Sequence, residues 1–89
     1  MTTSTLTVYG AEWCKDCRRT SALLARLGVD YVHVDLEAEP DRVDEARQLA
    51  GIQRIPVVHF DDGAVLVEPS DADLTAALQA RSLIDGSPE

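Results

Sequence analysis

At 89 residues the chain has room for one domain with one modest core. Its 45% hydrophobic content supports a folded interior, and no apolar run approaches the ~20 residues of a membrane-spanning helix. A formal net charge of −8 argues against nucleic acid or an anionic membrane surface as a partner, since either would repel it.

The first five residues, Met1 to Thr5, show no basic stretch followed by an apolar one, so no secretory leader is expected. Two cysteines are too few for a disulfide scaffold, which needs several bridges in so short a chain. Both readings point to a reducing, cytoplasmic setting. Residues 6–9 (Leu6, Thr7, Val8, Tyr9) alternate as a strand does, and Gly10 is expected to end it. Residues 15–27 read as a helix. Thr20, Ala22, Leu23 and Leu27 fall on one face, Arg18, Arg19 and Arg26 lie away from it, and Gly28 caps the end. Residues 31–36, centred on Val32, His33 and Val34, read as a second strand. Pro40 fits the first turn of a second helix, with Asp41 favouring the positive end of its dipole. Val43, Ala46, Leu49 and Ala50 form its apolar stripe and Gly51 stops it.

Residues 56–60 (Pro56, Val57, Val58, His59, Phe60) read as a third strand. Asp62-Gly63 is a strong hairpin signal, so residues 64–67 should pair antiparallel with them. Pro69-Ser70-Asp71 opens a last helix, with Ser70 as N-cap and Asp73 placed to reach back as a capping-box acid; Leu74, Ala77, Leu78 and Arg81 follow at helical spacing. The order is therefore βαβαββα. The first two strands, joined by a helix, should be parallel. The expected α/β fold is a four-stranded mixed sheet with helices on both faces. A single domain is expected over residues 1–89, with its core at about 5–83 and a frayed tail at 84–89.

Between the first strand and the first helix stand Trp13-Cys14-Lys15-Asp16-Cys17, which hold both cysteines. A Cys-x-x-Cys at such a junction points to redox chemistry. The spacing puts the sulfurs one helical turn apart, so the first can exchange with a disulfide and the second can displace the partner. Cys14, at the helix start, is the expected nucleophile, because free main-chain N–H groups and the dipole stabilise a thiolate there. Lys15 and Arg18 add positive charge, and Asp16 opposes it. Cys17, inside the helix, is the expected resolving thiol. A zinc site would need four ligands, and only His33 and His59 remain, on strands and without ligand spacing; no metal is expected. Both histidines read as plain strand residues, and Tyr9, Tyr31 and Phe60 as packing. On the residues alone, Trp13 is equally a half-buried loop aromatic or an exposed platform. Pro56 by itself is a strand-entry proline, and Ser70 a sufficient N-cap.

This element order, with Trp-Cys-x-x-Cys after the first strand and Ile55-Pro56 before the third, resembles the minimal thioredoxin fold and, in size, a glutaredoxin. The Tyr-x-x-x-Trp-Cys start (Tyr9 to Cys14), Asp62-Gly63 and Pro69-Ser70 are similar to mycoredoxins within that group. The resemblance spans about residues 6–83. It implies a thiol–disulfide oxidoreductase, reducing protein disulfides or protein–small-thiol mixed disulfides, with a low-molecular-weight thiol such as mycothiol or glutathione as co-substrate. Its partners would be oxidised or S-thiolated proteins, and the chain would act as a monomer. It also implies a cis Pro56 facing the cysteines, with the Ile55 N–H and C=O turned toward an extended thiol ligand. Trp13 becomes a platform, and Ser70 and Asp71 hold the polar end of the thiol. Arg54 stands next to Ile55, where glutaredoxins often have Thr-Val; it either binds a ligand carboxylate or is a solvated charge. Glu68 and the acidic helix start favour the sugar-bearing thiol or a protein partner over glutathione. Asp16 stands where many glutaredoxins have an aromatic residue, so weaker activation of Cys14 is expected. Two alternatives accompany this reading. One is a dithiol donor to a dedicated protein such as ribonucleotide reductase, recharged by thioredoxin reductase. The other is an iron–sulfur carrier using Cys14 from two chains.

Overall fold

The computed structural model describes residues 6–84. The expected absence of a leader rests on residues 1–5, and most of the expected tail on residues 85–89; both segments lie outside the described residues.

The elements follow in the order β1 (Leu6–Gly10), α1 (Lys15–Arg26), β2 (Val32–Asp35), α2 (Val43–Ala50), β3 (Val57–Phe60), β4 (Val65–Val67) and α3 (Asp71–Ala80). The sheet order is β2-β1-β3-β4. β1 is central: it pairs parallel with β2 and antiparallel with β3, and β3 pairs antiparallel with β4. The mixed four-stranded sheet expected from the sequence is therefore present.

Strand alternation sorts side chains into two layers. Leu6 and Val8 of β1 and Val58 and Phe60 of β3 meet Leu23 and Leu24 of α1 and Leu74 and Leu78 of α3. The opposite face carries Tyr9, Val34 and Val57, covered by Ala46 of α2. Helices thus cover both faces. Phe60, Leu6, Leu24, Leu74 and Leu78 are among the largest fully buried side chains. Burial of each such side chain stabilises by roughly 1.5–3 kcal/mol.

α1 ends in a Schellman motif. The Gly28 N–H donates to Ala25 C=O and the Val29 N–H to Leu24 C=O, with Gly28 at φ 73°, a left-handed value that suits glycine. Val29 then packs beside Leu24 in the core. α3 closes the same way without a glycine: Ser82 takes φ 58° while the Leu83 N–H donates to Leu78 C=O. That turn folds Leu83 and Ile84 back onto the core, so Ile84 belongs to the packed structure rather than to a tail.

Four local expectations change. Gly10 belongs to β1 as its last residue, paired with Asp35, where the expected strand stopped at Tyr9. Ala22 is exposed and Leu24 is fully buried, because the buried stripe of α1 runs Cys17, Thr20, Leu23 and Leu24. Ala22 lies two residues from Thr20 and from Leu24, a spacing that does not share a helix face. Pro40 opens a separate 3₁₀ turn, Pro40–Arg42, whose Pro40 C=O accepts from the Val43 N–H; α2 starts only after it. The capping box of α3 is half made. Ser70 Oγ accepts from the Asp73 N–H at 3.0 Å, and among the described residues no return bond from Asp73 is formed. An Asp side chain is one methylene shorter than the Glu that usually makes that reach.

Candidate active site

The loop from Ala11 to Trp13 carries the chain from β1 into α1. The Cys14 N–H donates to Ala11 C=O at 3.1 Å, which closes a turn, and the Arg18 N–H takes Cys14 C=O at 3.0 Å as the first bond of the helix. Cys14 is then the N-cap, at φ −83° and ψ 115°, and its Sγ accepts the Cys17 N–H at 3.2 Å. A sulfur here takes the place of the usual Ser or Asp oxygen. A main-chain donor and the positive end of the helix both point at Sγ, an arrangement that stabilises negative charge on sulfur.

Cys17 lies one turn further in and is 3% exposed. Its Sγ rests against the backbone of β1: a Cβ added to Gly10 would stand 2.8 Å from it. Burial pushes the Cys17 thiol up to about 12, reinforced by its hydrogen bond with Cys14 and the nearby charges of Cys14 and Asp16. A main-chain hydrogen bond from Ala11 acts in the other direction. The fold therefore holds the proton on Cys17, while Cys14 Sγ caps the helix start. Ile55 packs on the cluster formed by Ala11, Cys14 and Cys17, and Ile55-Pro56 is cis.

Three arginines near the site are already committed. Arg18 Nη1 donates to Glu12 C=O at 2.6 Å, bracing the loop before Cys14. Arg19 pairs with Asp16 at 3.4 Å and with Asp71 at 3.3 Å, and donates to Pro69 C=O at 3.1 Å. Asp16 thus has a structural use: it helps hold the arginine that ties α1 to the start of α3. Arg54 pairs with Glu68 at 3.0 Å, with both side chains exposed. Lys15 is exposed and, among the described residues, has no ion pair.

Trp13 is 65% exposed, which excludes the half-buried reading. It lines a groove of about 310 Å³ with Arg54, Ile55, Leu36 and Val43. The structure therefore brings Trp13, Arg54 and Ile55 together, and joins Pro69 and Asp71, which flank Ser70, to α1 through Arg19. Among the described residues no group of three or more His, Cys, Asp or Glu could hold a metal ion, and no helix is long and apolar enough to cross a membrane.

Three residues that matter to the site escape the sequence reading. Gly10 leaves space for the Cys17 sulfur; an isolated glycine inside a strand pattern is the signal for such a close approach. Arg19 has no local signal, because its partner Asp71 is distant in sequence. Tyr9, read as packing, also anchors α2: its hydroxyl donates to Glu45, which Arg42 holds at 2.9 Å. Burial first, and then Glu45, push the Tyr9 phenol up to about 12.

Those two raised groups give a pH prediction. Below their ordinary values of 9.0 and 10.0 both are protonated in the folded and the unfolded chain. Above them the unfolded chain releases protons that the fold retains, so stability falls as pH rises toward 12. Urea midpoints of the reduced protein should decline from about pH 9 upward. Cys17→Ala should remove the earlier part of that decline and Tyr9→Phe the part that begins near 10. Midpoints that stay flat to the same pH would contradict the burial of both groups.

Comparison with known proteins gives a consistent set of similarities. The family model described as Glutaredoxin matches residues 6–65. A protein of Mycobacterium tuberculosis assigned as a glutaredoxin is 33% identical over 79 residues, covering 88% of this chain and 94% of its own length. Mycoredoxin 1 of Corynebacterium glutamicum is 28% identical over 78 residues, covering 86% of this chain and 96% of its own. The crystal structure of a glutaredoxin from Archaeoglobus fulgidus superposes with a TM-score of 0.76 at 22% identity, over 85% of this chain and 87% of that one.

Proposed function

Since the chain belongs to the glutaredoxin family, whose members are thiol–disulfide oxidoreductases, we propose that it reduces mixed disulfides between proteins and a small thiol. The observation that carries this reading is the asymmetry of the two sulfurs: Cys14 Sγ caps the helix and Cys17 stays buried and protonated beneath it. In the first step Cys14 thiolate attacks the mixed disulfide at the small-thiol sulfur. The protein thiolate leaves, takes a proton from water, and Cys14 carries the small thiol. In the second step a further small thiol attacks that adduct and releases the oxidised small-thiol dimer. Alternatively Cys17 attacks it, forms the Cys14–Cys17 disulfide and expels the small thiol.

Trp13, Arg54 and Ile55 form the docking groove in this account. Among the described residues the Ile55 N–H and C=O have no hydrogen-bond partner, which leaves them available to an extended ligand as one strand rung. Lys15, exposed and without an ion pair among the described residues, supplies a cation beside Cys14. Ser70 and Asp71 border the polar end of the ligand. Ser70 Oγ is taken by the helix cap and Asp71 by Arg19, so little of either is left for charged groups. Arg54 is likewise matched by Glu68. A ligand with two carboxylates would have to break these pairs. A thiol with sugar-like neutral ends would not, which favours mycothiol over glutathione. The targets are oxidised or S-thiolated cytoplasmic proteins, and the chain acts as a monomer.

The choice of reductant tests this. With a model mixed disulfide as substrate, turnover should be fastest with mycothiol and its reductase, slower with glutathione and its reductase, and negligible with NADPH and thioredoxin reductase alone. Full turnover by thioredoxin reductase without any added thiol would replace this reading with a dithiol donor dedicated to one protein.

A further inference from the structure

A second cleft of about 440 Å³ opens beside α1 and shares only Ala11 with the Trp13 groove. Cys17 lines it, with Arg18 and Ser21 of α1, Glu12 of the preceding loop, and Tyr31 and His33 from the β2 segment. Cys14 does not. Cys17 therefore borders a cleft separate from the docking groove, while its own surface stays almost wholly buried.

The sheet explains why His33 is there. Cys17 Sγ rests against Gly10. In the parallel register Gly10 pairs with Asp35 and Val8 with His33. Alternation puts Val8, Gly10, His33 and Asp35 on the face that α1 covers. His33 is one step along β2 from the position beside the Cys17 sulfur, and it is exposed, so it can exchange protons with solvent.

The chemistry needs an acceptor there. When Cys17 attacks the Cys14 mixed disulfide, a bond forms between the two cysteine sulfurs, the Cys14–S bond to the small thiol breaks, and the Cys17 S–H must give up its proton. Before the reaction Cys14 itself accepts a hydrogen bond from that thiol; once Cys14 is in a disulfide it is a far poorer acceptor. Burial also pushes Cys17 up to about 12, so spontaneous ionisation is rare near neutral pH. The charged and titratable groups facing Cys17 are Cys14 and Asp16 on its own helix, Arg18, Glu12 in the loop, and Tyr31, His33 and Asp35 on the β2 side. Arg18 is a donor held by Glu12 C=O, and Asp35 accepts from the Glu37 N–H. Carboxylates are weak bases and a phenol is a weak acid, whereas imidazole takes and returns protons near neutrality.

We propose that His33 accepts, through water in this cleft, the proton that Cys17 releases as it resolves the Cys14 mixed disulfide, and passes it to solvent. This rests on the assignment of Cys14 as nucleophile and Cys17 as resolving thiol.

Rapid mixing of the reduced protein with one equivalent of an aromatic disulfide, dithiobis-nitrobenzoate, separates the steps. Attack by Cys14 releases one coloured thiolate, and resolution by Cys17 releases the second together with the proton. His33→Gln should leave the first phase unchanged. It should slow the second about tenfold at neutral pH, less than the ~10²-fold or more of a directly placed base. Added imidazole should restore the second phase, which a structural role for His33 would not allow. His59→Gln, on the other face of the sheet, should change neither phase. A second phase that is unaffected by His33→Gln, or a loss that imidazole does not rescue, overturns the proposal. A first phase that survives Cys14→Ser instead overturns the assignment beneath it.

Discussion

Cys14→Ser is expected to abolish disulfide exchange, with a fall of about 10³-fold or more, the scale on which removal of a covalent nucleophile acts. Cys17→Ser is expected to keep small-thiol-dependent reduction of mixed disulfides within about tenfold of the native rate, because a second small thiol can clear Cys14. The same variant should lose the reduction of protein disulfides, which needs the internal attack. The asymmetry follows from geometry. Cys14 Sγ sits at the helix start and accepts the Cys17 N–H there. Cys17 is 3% exposed and lies against β1, out of reach of a bulky disulfide. Steady-state rates with a glutathionylated or mycothiolated peptide, beside rates with an intact protein disulfide, separate the two activities. Equal losses in both variants and both assays would sink the division of roles.

Gly10→Ala is expected to damage the site from below. The added Cβ would stand 2.8 Å from Cys17 Sγ, closer than real contacts allow, and 3.0 Å from Cys17 Cβ, tighter than most of them. Cys17 has no longer stem to swing aside, and its helix is fixed by Leu23 and Leu24 in the core. The clash must be relieved by moving α1 or the strand, at a cost of about 1–3 kcal/mol for overpacking of this kind. For a chain of this size each 1 kcal/mol lowers Tm by roughly 4–8 °C. The resolving step should suffer more than the first attack, because it is the Cys17 sulfur that is displaced. Gly10→Ala combined with Cys17→Ala removes the shorter of the two contacts, so the pair should cost clearly less than the sum of the single changes. Thermal melts of the four proteins read the coupling. Simple additivity, or a Gly10→Ala protein with native stability and native resolution, would mean that Cys17 does not rest on the strand.

Periodicity and turn chemistry made most of the fold legible. Alternation in residues 6–9, the Asp62-Gly63 turn and the Ser70 cap are local signals, and β1, the β3–β4 hairpin and α3 appear where those signals stand. The two cysteines were legible for the same reason: strand, junction and helix are adjacent in sequence. What escaped was set by distance. Arg19 meets Asp71 only because α1 and α3 share one face of the sheet. Gly10 looked like punctuation because its effect lies in the space it leaves above the strand. Asp16 looked like an electrostatic liability until its partner Arg19 was in place. Helix ends that lack glycine, such as the Ser82 turn, are also silent in sequence, and they decided that Ile84 packs inward.

The division of labour between Cys14 and Cys17 can be read directly by trapping the adduct. Each single-cysteine variant is incubated with a small-thiol disulfide, and intact mass with peptide mapping locates the bound thiol. The account predicts that Cys17→Ser takes up one thiol, on Cys14, within the time of one turnover, while Cys14→Ser remains unmodified. Rapid labelling of Cys17 in the Cys14→Ser protein, at a rate matching that of Cys14, would contradict it.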